Sequence, residues 1–137
     1  MIITAAFLSR LLVRSLLVLL FVGMGLFHLV RPQVFGTVMP PFIPFPSFCI
    51  WVSGLAEILG GVGLLVPVRW VALLTRWGLV LLLLAVFPVN IYMALYPHAS
   101  PLIHIAPWIL WARLPLQPLL IWAVIWMTRL PSCRDAI

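Results

Sequence analysis

The chain has 137 residues, of which 66% are hydrophobic and 7% are charged, and its formal net charge is +6. A soluble domain is close to half apolar and a quarter charged, so this composition indicates an integral membrane protein with one compact domain. The eight positive charges are all arginines, placed singly near the ends of apolar runs, which is typical of membrane topology and headgroup contact. This pattern argues against nucleic-acid binding.

Four apolar runs separated by prolines predict membrane spans at about 11–30, 48–66, 70–96 and 114–130. About 20 residues cross the hydrocarbon core of a bilayer, so each run is close to the required length. We therefore expect an all-α, four-helix transmembrane bundle that forms a single domain over residues 1–137. The third span contains Pro88, which predicts a tilt or kink. The fourth span is short, and we expect that it can borrow length from 108–113.

The arginine distribution predicts the orientation of the bundle. With the N-terminus in the cytoplasm, six arginines lie on the inner side and two on the outer side. The inner group is Arg10, Arg14, Arg69, Arg76, Arg129 and Arg134, and the outer group is Arg31 and Arg113. We expect a multi-pass protein of the bacterial inner (cytoplasmic) membrane with both termini cytoplasmic. The first span resembles a signal peptide but lacks a small-x-small cleavage site, so we expect it to remain uncleaved.

The two outer loops have unusual compositions. The segment 32–46 is rich in proline and phenylalanine, which predicts a re-entrant or interfacial cap rather than a solvated linker. His98 and His104 in the second outer loop have no cysteine or acid nearby, which argues against a metal site. We predict that Cys49 and Cys133 lie on opposite membrane faces, and this separation argues against a dithiol oxidoreductase.

Glu57 is the most informative residue because it is a lone acid within the second span. A charge at membrane depth costs about 2.5–3.5 kcal/mol on insertion scales, so such residues face inward and find partners. Gly54 and Gly61 share its helix face and permit close approach of a neighbouring helix. We therefore predict a polar pocket in the outer half of the bundle. Its candidate binding residues are His28, Arg31, Glu57, Asn90, Arg113 and Gln117, and for Glu57 the predicted partners are His28, Asn90 or Arg113.

Each of these residues also has a structural interpretation, and both interpretations stay open. Glu57 is either a functional acid or an interhelical lock, and His28 is either a headgroup-level cap or a proton-active group. For Asn90 we favour a hydrogen bond between helices that satisfies backbone freed by Pro88. Arg31 and Arg113 fit interfacial anchors somewhat better than substrate clamps.

Several short motifs, in order along 21–122, resemble the DoxX / DoxX-like family of small four-span bacterial membrane proteins. They are His28-x-x-x-Pro32, the loop 39–46, Ser53-Gly-Leu-Ala-Glu57 with its following glycines, Phe87-Pro-Val-Asn90 and Arg113-Leu-Pro-Leu-Gln117. The family name is similar to that of the small subunit of an archaeal thiosulfate:quinone oxidoreductase, and other members are linked to redox or oxidative-stress complexes. The resemblance implies a four-helix bundle and a quinone-linked redox context.

Three functional hypotheses follow. The protein is a subunit or accessory of a membrane redox complex, with a quinone headgroup in the pocket around Glu57. Alternatively, the pocket binds a lipid or small amphiphile in a transporter or isomerase-like protein, or the chain is a structural membrane scaffold. We expect no intrinsic cofactor, with a quinone or lipid as the candidate bound ligand. The expected partners are the lipid bilayer, a redox partner protein and further copies of the chain.

Overall fold

A computed structural model describes residues 5–97 and 105–129 of the chain, and within these ranges the regular structure is entirely helical. His98, His104 and Cys133, for which we made predictions from the sequence, lie outside the described residues. The helices are α1 (Ala5–Val30), α2 (Pro32–Gly36), α3 (Pro46–Gly63), α4 (Arg69–Leu95) and α5 (Pro107–Met127). All but the short α2 are long and apolar enough to cross a membrane, so the chain is a multi-pass membrane protein and the predicted all-α class is confirmed.

Proline determines where several helices begin. Three helices have a proline in the first turn: α2 has Pro32, α3 has Pro46 and α5 has Pro107. This position suits proline because its fixed φ matches the helix and the first backbone nitrogens have no intrahelical acceptor.

The last helix differs most from the predicted spans. It begins at Pro107 instead of residue 114, so 108–113 belongs to it fully. The helix continues through Pro115 and Pro118, both of which are exposed. Proline is tolerated inside a transmembrane helix when neighbouring groups satisfy the freed carbonyls or the backbone adjusts locally.

The four long helices pack in the order α1, α3, α4, α5, with a smaller contact between α5 and α1 that closes the bundle. The centre of the core is apolar and is formed by α1, α4 and α5, together with Leu64 directly after α3. It contains Phe21 of α1, Leu79 and Leu83 of α4, and Val124 of α5, which is completely buried. Most large apolar side chains outside this core are exposed, as expected for helices surrounded by lipid.

The pair α1 and α3 has the most extensive interface in the molecule, and glycines make it possible. A Cβ atom added to Gly25 would lie 2.6 Å from the Gly54 carbonyl oxygen, and one added to Gly61 would lie 2.7 Å from Val22 Cγ2. The two helices are antiparallel, since Gly25 meets Gly54 while Val22 meets Gly61. Small residues at such a crossing allow the backbones to approach closely, as they do at many membrane helix interfaces.

The end of the bundle at which α1 finishes is here called the His28 end. His28 lies against Gly54. His28 is two positions before the end of α1, whereas Gly54 is eight positions after the start of α3. At 1.5 Å per residue, α3 therefore projects roughly 9 Å beyond α1. The segment 31–45, which includes α2, fills this step: Phe35 stacks on His28 and Phe42 packs edge-on against Tyr92 of α4. The proline-rich segment thus forms a cap over α1, whereas its re-entrant or interfacial position in the membrane stays a prediction.

At the opposite end of the bundle, here called the Arg76 end, two arginines contact the C-terminal end of α5. Arg76 Nε donates to Thr128 Oγ1 at 2.9 Å, and its Nη2 donates to the Thr128 carbonyl oxygen at 2.5 Å. These bonds satisfy a carbonyl at the C-terminus of α5, where the helix dipole also favours a cation. The Arg10 guanidinium lies 5.6 Å from the Trp126 ring, within cation–π range, and ties α1 to the same helix end.

Candidate functional site

Glu57 and His28 are the only acid and base within ion-pair distance of each other among the described residues, and they lie inside the bundle. Glu57 is eleven positions into α3, so its Cα is roughly 16 Å below the start of that helix. The His28 Nδ1 and Glu57 Oε2 atoms are 2.8 Å apart. The pair is mostly shielded, since the two side chains expose only 13% and 11% of their surface. The predicted inward orientation of Glu57 is therefore present in the structure.

The glycines of the α1–α3 interface position this pair. Gly25 and Gly54 bring the helix backbones together next to Glu57 and His28, so that the two side chains meet across the crossing. In an antiparallel pair each side chain leans toward the N-terminus of its own helix, and the two therefore lean toward each other here. The signal for this arrangement in the sequence is the shared face of Gly54, Glu57 and Gly61, all of which are buried.

The hydrogen bonds of the imidazole leave the carboxylate incompletely satisfied. His28 Nδ1 also lies 3.0 Å from the Met24 carbonyl oxygen, one turn earlier in α1. That oxygen only accepts, so the nitrogen must carry a hydrogen, and a single hydrogen cannot be well aligned with two acceptors. Glu57 Oε2 accordingly has the distance of an ion pair but no aligned hydrogen-bond donor in 5–97 and 105–129. With a hydrogen on Nδ1, Nε2 of a neutral imidazole is a hydrogen-bond acceptor.

Phe35 of α2 covers the imidazole. The centroids of the His28 and Phe35 rings are 3.8 Å apart, with an interplanar angle of 25°. Phe27 also packs edge-on against Phe35, with the ring centroids 5.2 Å apart. An aromatic face stabilises an imidazolium through its quadrupole and shields an imidazole from water. His28 was predicted as either a headgroup-level cap or a proton-active group; the structure places its ring beside Glu57 and against Phe35, and both roles stay predictions.

Asn90 and Gln117 form no hydrogen bond with Glu57 in the part of the chain that the structure describes. The predicted contact between Asn90 and Glu57 is therefore not observed. Asn90 Nδ2 donates to Gln117 Oε1 at 2.5 Å, and Gln117 Nε2 donates to the Leu83 carbonyl oxygen. This chain of bonds joins α4 to α5, so the predicted interhelical role of Asn90 is present in the structure. Proline removes the hydrogen bond to the carbonyl four residues earlier, here that of Leu84. The bond from Gln117 to Leu83 therefore lies one residue away from the carbonyl that Pro88 frees. The predicted bond of Asn90 to that freed backbone is not the one seen, since Asn90 Nδ2 donates to Gln117.

The two remaining candidates, Arg31 and Arg113, also form no ion pair with Glu57. Arg31 follows the last residue of α1 and is exposed. Arg113 is half-buried in α5, and its guanidinium has no hydrogen bond or ion pair within the part of the chain that the structure describes. The six predicted residues thus divide into the His28–Glu57 pair, the Asn90–Gln117 lock and two separate arginines. Phe35 was not among the site residues predicted from the sequence. The signal that could have indicated it is an aromatic residue in the apolar segment that directly follows α1.

No group of three or more potential metal ligands occurs among the described residues, so the geometry offers no metal centre there. Cys49 is a free thiol whose Sγ lies 3.6 Å from the Pro44 carbonyl oxygen. An imidazole and a carboxylate at the distance seen for His28 and Glu57 can exchange a proton and can form hydrogen bonds with a polar ligand.

No curated protein and no solved structure matches this chain in sequence or fold. A match to a family does exist, and it extends over residues 17–128, from the middle of α1 to the end of α5. The matched region includes all six candidate residues and the cap. The chain belongs to the family described as Domain of unknown function (DUF8561).

Proposed function

We propose that this protein is a DoxX-like membrane subunit or accessory of a quinone-linked redox complex, with His28 and Glu57 as the polar contacts for a quinone headgroup. The observation that carries the proposal is the buried Glu57 Oε2 atom, which lies beside an imidazole but lacks an aligned donor. A buried acceptor without a donor is costly, and a ligand hydroxyl would satisfy it. The hydroxyl of a quinol is such a donor.

The chemistry of the pair suits this ligand. When a partner protein removes electrons from a quinol, the hydroxyl hydrogens leave as protons, and a carboxylate at hydrogen-bond distance accepts one of them. Nε2 of His28, which is bonded to neither Met24 nor Glu57, is the imidazole atom that can accept the second quinol proton. The two electrons pass to the partner protein in this proposal.

The proposal includes an orientation. The arginines Arg10, Arg69 and Arg76 all lie at or near the Arg76 end, whereas Arg31 lies at the His28 end. By the positive-inside rule, the Arg76 end faces the cytoplasm of a bacterial inner membrane and both termini are cytoplasmic. The His28–Glu57 pair then lies in the outer half of the bilayer, within reach of a quinone dissolved in the lipid.

A test is purification in mild detergent followed by mass spectrometry of extracted quinones and lipids. Wild-type protein is compared with Glu57→Gln, which keeps the side-chain shape, and with Asn90→Ala, which weakens the α4–α5 contact away from Glu57. We expect quinone with wild type and Asn90→Ala and little with Glu57→Gln. Retention of another amphiphile that depends on Glu57 would favour a transporter or isomerase-like protein. No Glu57-dependent ligand, combined with reduced stability of Glu57→Gln, would favour a scaffold.

A further inference from the structure

Arg113 occupies an inward position near the start of α5. It is six positions after Pro107, so it lies roughly 9 Å below the first residue of the helix. Leu110, one turn before it, is 3% exposed, and Gln117, one turn after it, is 5% exposed. Arg113 shares the helix face of these two buried residues and is itself half-buried.

The charge of Arg113 is not balanced by the protein around it. Its guanidinium has no hydrogen bond or ion pair within 5–97 and 105–129. Glu57, the only acid in those ranges, is paired with His28, and the nearby amides of Asn90 and Gln117 are bonded to each other. A guanidinium cannot shed its proton in a protein, so burial in a membrane requires an anionic partner.

The surroundings indicate which anion fits. Trp108 and Trp111, in the same two turns of α5, are 71% and 54% exposed. Tryptophans in the first two turns of a membrane-spanning helix are typical of the headgroup level of a bilayer, where the available anions are phosphates. The planar fork of arginine donors matches two oxygens of a phosphate, which an ammonium group cannot do.

We propose that Arg113 anchors a binding site for a phosphate group, supplied by the headgroup of an anionic phospholipid or by free phosphate. The site is separate from the His28–Glu57 pair, because it uses α5 and a fixed positive charge instead of a proton-exchanging pair. It therefore does not depend on whether that pair binds a quinone.

Native mass spectrometry of delipidated protein in mixed micelles tests the proposal. Phosphatidylglycerol is titrated against wild type, Arg113→Gln and Arg31→Gln, with phosphatidylcholine as the zwitterionic lipid and inorganic phosphate as the soluble arm. Arg31→Gln is the matched control, because it removes an exposed arginine from the same end of the bundle. Hydrogen bonds to charged groups contribute about 1.5–3 kcal/mol, so we expect Arg113→Gln to weaken binding at least about tenfold.

The source of the phosphate follows from which titration depends on Arg113. Arg113-dependent binding of phosphatidylglycerol assigns the site to a lipid headgroup, and Arg113-dependent binding of inorganic phosphate alone assigns it to a soluble anion. Equal affinities for wild type, Arg113→Gln and Arg31→Gln in every titration would overturn the proposal. If Arg113→Gln does not fold, Arg113→Lys replaces it: a several-fold weaker affinity supports the bidentate site, and an unchanged affinity refutes it.

Discussion

The close approach of α1 and α3 predicts opposite effects on stability for alanine substitutions at two glycines of α1. These glycines are two residues apart, and one faces α3 closely while the other faces open space. A Cβ atom at Gly25 would lie 2.6 Å from the Gly54 carbonyl oxygen and 2.8 Å from Ile58 Cγ1, whereas nothing lies within 4 Å of a Cβ atom at Gly23. Ordinary contact begins at 3.4 Å. The helices would therefore have to separate by roughly 0.8 Å to accept Gly25→Ala, and the Gly54 carbonyl cannot rotate away as a side chain would.

The two substitutions should change stability in opposite directions. Overpacking costs about 1–3 kcal/mol, so we expect Gly25→Ala to be destabilising. Gly23→Ala meets open space and gains up to about 1 kcal/mol of helix propensity. The resulting gap of about 2–4 kcal/mol corresponds to roughly 10 °C in the unfolding midpoint of a chain of this size.

Thermal unfolding in detergent, followed by tryptophan fluorescence, measures this gap under identical conditions for both variants. Gly25→Ala should also reduce any ligand retention at the pair, because the same displacement separates His28 from Glu57, whereas Gly23→Ala should leave retention unchanged. Equal midpoints for Gly23→Ala and Gly25→Ala would refute the close approach of the two helices and, with it, the position of the pair.

Three further substitutions test other parts of the structure. Gln117→Leu removes both bonds of the α4–α5 lock and should cost about 0.6–1.7 kcal/mol, visible as a lower unfolding midpoint; an unchanged midpoint would show that the lock contributes nothing. Arg76→Ala leaves the α5 carbonyl end uncapped and should cost about 1.5–3 kcal/mol, with Arg76→Lys losing less; identical losses for both would contradict the forked contact with Thr128. Phe45 has φ 52° and ψ 57°, a left-handed conformation that asparagine tolerates better, so Phe45→Asn should stabilise the chain by about 1 kcal/mol or less, and destabilisation would mean that the exposed ring matters more than the backbone.

The sequence predicted the helices well because membrane spans have strong local signals. Apolar runs of the right length, ended by Pro32 and Pro67, gave four spans whose ends mostly agree with the structure within a few residues. The start of α5 was placed late because Pro115 was treated as a boundary. The first-turn position of Pro107, which also occurs in α2 and α3, was the better indicator.

The partners of the polar residues were harder to predict, because they depend on how the helices are offset along the membrane normal. The projection of α3 beyond α1 brings His28 against Gly54, one turn from Glu57, and no local pattern encodes this offset. The same limit explains why Asn90 was offered as a partner of Glu57, although Gln117 of α5 is the residue it contacts. The inward face of Glu57 was predictable, since the spacing of Gly54 and Gly61 is a property of one helix.

The proposed function depends on His28 and Glu57 acting as one ligand-binding, proton-exchanging unit inside the bundle. The most direct measurement is the ¹⁵N NMR spectrum of the histidine side chains in lipid nanodiscs, with His28 assigned from a His28→Gln sample. A short-chain quinol should shift the His28 ring resonances in wild type and leave them unchanged in Glu57→Gln. His28 ring resonances that do not shift with the quinol, or that shift equally in Glu57→Gln, would show that the His28–Glu57 pair does not bind it.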